Sequence, residues 1–67
     1  MSVAKITEIT ASSASGFESA VKNGLRRAAK TLKNITGAWI SEQKVTVRDG
    51  EIDEYRVTMR VTFILDD

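Results

Sequence analysis

Apolar and polar positions change their period twice along this chain, and each change marks an element. In "VAKITEIT" (3–10) they alternate loosely among many β-branched residues, which predicts a strand. "ASSAS" interrupts with small, turn-prone residues, and either Ser13 or Ser15 can cap a following helix; Ser15 and Glu18 have capping-box spacing. From about residue 14 to residue 34 the period is helical. Phe17, Val21, Leu25, Ala28, Leu32 and Ile35 recur at steps of three and four as one apolar stripe. Ala20, Gly24 and Ala29 flank the stripe and narrow it, so the helix can lie close against a sheet. A glycine inside a helix costs about 1 kcal/mol relative to alanine, and close packing is the reason to keep Gly24. Lys22, Arg26, Arg27, Lys30 and Lys33 take much of the remaining surface, the later ones suiting the helix dipole.

From residue 37 the period becomes two. "AWISEQKVTVR" reads as a strand, "DGE" as a turn and "IDEYRVTMRVTFIL" as the next strand, with Asp49-Gly50 as the hairpin signal. In the last strand Tyr55, Val57, Met59, Val61, Phe63 and Leu65 share the face expected to receive the helix. Ile52, Glu54, Arg56, Thr58, Arg60, Thr62 and Ile64 form a semi-polar face with nothing of its own to cover it. The expected fold is α+β, in the order β-α-β-β: a three-stranded antiparallel sheet on one long helix, as one domain over residues 1–67. Hairpin strands of about 10 to 14 residues, where 5–6 is usual, leave open edges and a bare face suited to other subunits.

Size sharpens that expectation. A chain of 67 residues buries only about 60% of its unfolded surface, and such a core rarely supplies more than about 3–5 kcal/mol. With no cysteine and no histidine, disulfides and the usual zinc sites are excluded. Oligomerisation is the expected source of further buried area. Ten basic and nine acidic residues, net charge +1, provide no long-range field for nucleic acid or membranes. No apolar run approaches the roughly 20 residues of a membrane span, and the N-terminus lacks the layout of a signal peptide. The expectation is a soluble, cytoplasmic protein.

No catalytic constellation stands out: without His or Cys, no spacing singles out a nucleophile and base, so a non-enzymatic role is expected. "ASSASG" could hold a phosphate at a helix start, but it lacks phosphate-loop spacing and its ordinary role is a cap. The basic stretch "LRRAAKTLK" reads first as a solvated helix face, with a basic-helix interaction module as an alternative; around a symmetry axis, Arg27 and Lys30 could form an anion pocket. Asp66 and Asp67, with Glu8, Asp49, Glu51, Asp53 and Glu54, offer hard oxygen ligands for Ca²⁺, though dispersed and without a known loop pattern. Trp39 is either a subunit contact or a stacking platform for a flat ligand, and as a lone tryptophan on an uncovered strand it reads first as a contact.

The stretches "AKITEITASSASGFESAV", "GLRRAAKTLKNI" and "DGEIDEYRVTMRVTFILDD" carry a resemblance that covers nearly the whole chain. In order, length and spacing it resembles the dodecins, small β-α-β-β proteins that assemble into hollow twelve-subunit shells and usually bind flavins. That resemblance implies a homododecamer and a flavin, FMN or riboflavin. Flavin-binding members carry a tryptophan just after the helix, in a stretch like "LDWFEV", and a glutamine in a "YQV" segment of the last strand. Registered back from the hairpin, Gly37 takes the tryptophan position, Arg56 the glutamine position, and Lys44 a position where many members have arginine. Trp39, two residues from Gly37, should share its face and could substitute as the platform, with Gln43 assisting. Glycine offers no stacking surface, and arginine only donates where a glutamine amide both donates and accepts. "AWISEQ" also looks like a dodecin subgroup linked to calcium rather than flavin. The resemblance therefore implies a shell that stores or sequesters a ligand, with flavin binding altered or weak; a calcium-binding shell is the alternative.

Overall fold

A turn at Asp49 and Gly50 folds the second half of the chain into one long hairpin. The computed structural model describes residues 2–65 and contains β1 (Ala4–Ser13), α1 (Phe17–Ala28), β2 (Ile35–Arg48) and β3 (Glu51–Ile64). Both turn residues have positive φ, 51° and 79°, as the two-residue turns that match strand twist require. β3 lies in the centre of the sheet, antiparallel to β1 on one side and β2 on the other. The β-α-β-β, α+β fold expected from the pattern is the fold observed.

Three local expectations are corrected. The helix spans Phe17–Ala28 rather than about 14 to 34. After Ala28 the chain tightens into a turn, with the Lys30 and Thr31 amides donating to the Arg27 and Ala28 carbonyls. Asn34, at φ 61°, then swings it into β2. Leu32 and Ile35 keep the helical spacing without being helical because both still pack on the core. Neither Ser13 nor Ser15 caps the helix: Gly16 is the N-cap and no side chain serves it. The Ser13 hydroxyl instead accepts from the Ser15 amide (3.0 Å) and donates to Ser19 Oγ (2.9 Å), while Glu18 pairs with Lys22 at 3.3 Å. Finally, "ASSAS" does not stop β1, which runs on to Ser13 by pairing with Tyr55–Val57 of the central strand.

The core lies between α1 and the strands β1 and β3. Val57, Met59 and Val61 are buried from β3, and Ala20, Gly24 and Ala28 from the helix. The row of α1 nearest the sheet is thus the small one, at steps of four, and Phe17, Val21 and Leu25 pack beside it, partly buried. Ala29 lies beyond the helix and is exposed. Phe17 meets Tyr55 edge to face, with ring centroids 5.1 Å apart, which ties the helix start to β3. Leu65, expected on this face, lies past the strand end and is exposed. Among the described residues no helix is long and apolar enough to cross a membrane.

Candidate functional site

Two bulges in β2 decide which side chains meet on the face away from the helix. Residues directly opposite in an antiparallel pair point to the same side of the sheet. Gly37 lies opposite Thr62, Trp39 opposite Arg60, Glu42 opposite Thr58, and Lys44 opposite Arg56, all on the outer face. The register slips between Ile35 and Gly37, and again between Ile40 and Glu42, where Ser41 is the extra residue. The Ser41 hydroxyl donates to the Thr58 carbonyl at 3.1 Å and so holds the second bulge in place.

That bulge sorts the sequence-predicted residues. With strict alternation Trp39 and Gln43 would share a face and Lys44 would oppose them. The inserted residue reverses this: Lys44 joins Trp39, and Gln43, opposite Val57, points to the helix side. Gly37, Trp39, Lys44 and Arg56 are therefore brought together on one surface, and Gln43 is not. Arg27 and Lys30 lie elsewhere again. Arg27 lines a cleft of about 450 Å³ between α1 and β1, and Lys30 sits in the turn after the helix.

Around Trp39 the outer face is polar and open. The Arg60 guanidinium carbon lies 4.9 Å from the Trp39 ring centroid, and its Nε is 3.5 Å from Glu8 on β1. Glu8, Arg60 and Trp39 thus form a row across all three strands. An exposed cation–π contact of this kind is worth about 0.5–1 kcal/mol, and Trp39 is still 61% exposed. Beside it, no atom lies within 4 Å of where a Gly37 side chain would begin. Farther along, Arg56 pairs with Glu54 at 3.1 Å, and Lys44 lies next to it across the strands. The sequence did not single out Arg60. Its signal was its position four residues beyond Arg56, on the same face of an unbroken strand.

The surface can stack a planar group on Trp39 and attract an anionic or electron-rich edge with Lys44, Arg56 and Arg60. These cations only donate hydrogen bonds, and the amide of Gln43, which could both donate and accept, faces the other way. The outer face thus offers a stacking surface without the Gln43 amide beside it. The acidic side chains are scattered: Glu8, Glu18, Asp53 and Glu54 each pair with a cation. Among the described residues no group of three or more acidic side chains could hold a metal, and Asp66 and Asp67 lie outside those residues.

Comparison with known proteins agrees with this architecture. A family model described as Dodecin matches residues 3–66. The curated dodecin of Thermus thermophilus is 32% identical over 65 residues, covering 97% of this chain and 94% of that protein. The solved dodecin of Streptomyces davaonensis has a TM-score of 0.94 at 35% identity, covering 98% of this chain and 97% of its own. The calcium dodecin of Mycobacterium tuberculosis, described as a calcium-chelating antigen with a novel calcium-binding site, has a TM-score of 0.83 at 29% identity, over 96% and 91% of the two chains. The chain belongs to the dodecin family.

Proposed function

We propose that this chain assembles into a hollow homododecamer that binds and sequesters a small planar ligand on the outer face of its sheet, without catalysing a reaction. The observation that carries the reading is Trp39, a large aromatic 61% exposed in the middle of a sheet face that no element covers. Gly37 leaves space beside it, and Lys44, Arg56 and Arg60 supply positive charge around it. A flavin bound here would stack on Trp39, with its edge or its phosphate toward Lys44 and Arg56. Because those groups donate only, it would be held differently, and more weakly, than by a tryptophan with a glutamine amide.

Titrating the protein into riboflavin and FMN while following flavin fluorescence tests this. Quenching is expected, and Trp39→Ala should weaken binding about 5- to 150-fold, since stacking on an aromatic is worth about 1–3 kcal/mol. Micromolar flavin that is neither quenched nor co-eluted would remove the flavin reading.

A second reading, a calcium-binding shell, draws on the likeness to the calcium dodecin. A cation bound only to the folded state raises the melting temperature by mass action. An identical melt in millimolar Ca²⁺ and in chelator removes that reading.

A further inference from the structure

Glu42 is the charged residue next to Trp39 that no pairing within the subunit uses. The bulge at Ser41 sets it on the outer face, opposite Thr58 and one same-face step from Trp39, about 7 Å along the strand. The neighbouring cations of β3 are already engaged: Arg60 by Glu8 and the Trp39 ring, Arg56 by Glu54. Thr58, directly across, shares its hydroxyl hydrogen bond with Thr10 at 3.4 Å. Among the described residues, the Glu42 and Lys44 side chains have no ion-pair or hydrogen-bond partner, and both are exposed. They are the charges left over for a ligand.

Arg60 lies over one face of the Trp39 ring, so a planar group stacks on the other. Along β2 that group has the open space at Gly37 on one side and the Glu42 carboxylate on the other. A carboxylate only accepts hydrogen bonds, through two oxygens side by side. Its match is an edge with two adjacent N–H donors, held bidentately as it holds a guanidinium. Pterin and guanine rings carry that edge, an amino group beside a ring N–H. Flavin and lumazine rings instead carry one N–H between two carbonyl oxygens, and those oxygens would face the carboxylate.

We propose that the Trp39 surface selects a planar ring with adjacent N–H donors, as in pterin or guanine, over a dioxo ring such as flavin, and that Glu42 makes the selection. This rests on the reading of Trp39 as a stacking surface. Lys44, the next outer-face side chain of β2, then takes an anionic substituent of the ring.

Pterin and lumazine differ in one ring substituent, amino against oxo, and both fluoresce, so paired titrations at neutral pH isolate the edge. Pterin should bind about tenfold more tightly than lumazine or better, within the range that one bidentate pair discriminates. Glu42→Gln keeps the size of the side chain but offers one acceptor and one donor. It should abolish the preference or turn it toward lumazine, and tighten riboflavin. Glu42 is exposed, so this variant should fold. Trp39→Ala should weaken both pteridines alike. Guanosine, measured by displacing pterin, separates a nucleoside from a pteridine source, the tighter binder naming it. Equal affinity for pterin and lumazine, or a pterin preference that survives Glu42→Gln, overturns the proposal, while quenching of riboflavin leaves the stacking surface standing. A protein that binds none of these rings overturns both.

Discussion

Gly24 stands where a side chain has no room. A Cβ there would lie 2.5 Å from Met59 Cε and 2.9 Å from Ala11 Cβ. The methionine tip could bend in open surroundings, but Met59 is fully buried, and Ala11 is fixed to the backbone of β1. Gly24→Ala would gain about 1 kcal/mol of helix propensity, and overpacking a core typically costs about 1–3 kcal/mol. The net expectation is a lower denaturation midpoint, read by urea titration of far-UV circular dichroism; a rise would mean that α1 can lift from the sheet without loss. Trp39 is the opposite case. It is exposed, and its described partner is Arg60, so Trp39→Ala should leave the subunit's denaturation midpoint within about 1 kcal/mol of wild type while removing the stacking surface. The sequence identified Gly24 as a close-packing residue because a glycine inside a helical stripe needs a reason. It could not identify Arg60 as the partner of Trp39, because that pairing depends on strand register.

At the scale of elements, the bulge at Ser41 has the largest effect on the candidate site. It sets Lys44 beside Trp39 and turns Gln43 away, and its hydrogen bond to Thr58 is one side-chain contact. Ser41→Ala removes that bond, which should cost about 0.5–1.5 kcal/mol and leave the faces unchanged. Deleting Ser41 is a different experiment: it takes out the extra residue, so Glu42 would follow Ile40 in plain alternation, with Gln43 still on the helix side and Lys44 still on the outer face. The deletion should therefore preserve the pairing with β3 and melt close to Ser41→Ala; a much larger loss of melting temperature would show that the local twist of the bulge is needed to pack β2 on β3. The hairpin itself was legible, because Asp-Gly between two alternating runs leaves few alternatives. The bulges were not, because an extra residue follows from competition between local alternation and pairing along the whole of β3. The helix end was misread for a related reason: Leu32 and Ile35 serve the same core from a turn and a strand.

At the scale of the molecule, the subunit is elongated and thinly cored. It measures 51 × 19 × 13 Å with a radius of gyration of 13.8 Å, where a compact chain of this length would have about 11 Å. Its accessible surface is 5006 Å², against about 4200 Å² for a compact monomer of this mass. Exposed Ile6, Trp39, Val45, Val47 and Ile52 contribute apolar area that neighbours would cover. The expected outcome of light scattering at micromolar concentration is a particle of twelve 7.4 kDa chains. Its melting temperature should rise with protein concentration, as it does when folding and association are linked.

The order β-α-β-β and the helix-facing side of β3 could both be read from the sequence. They follow from hydrophobic period, which acts locally. Tertiary structure alone decided the strand order, the ends of β1 and α1, and the faces of Glu42, Gln43 and Lys44. Those depend on register with a central strand that β1 and β2 both share. A single bulge there outweighs the local alternation by which a sequence shows its faces.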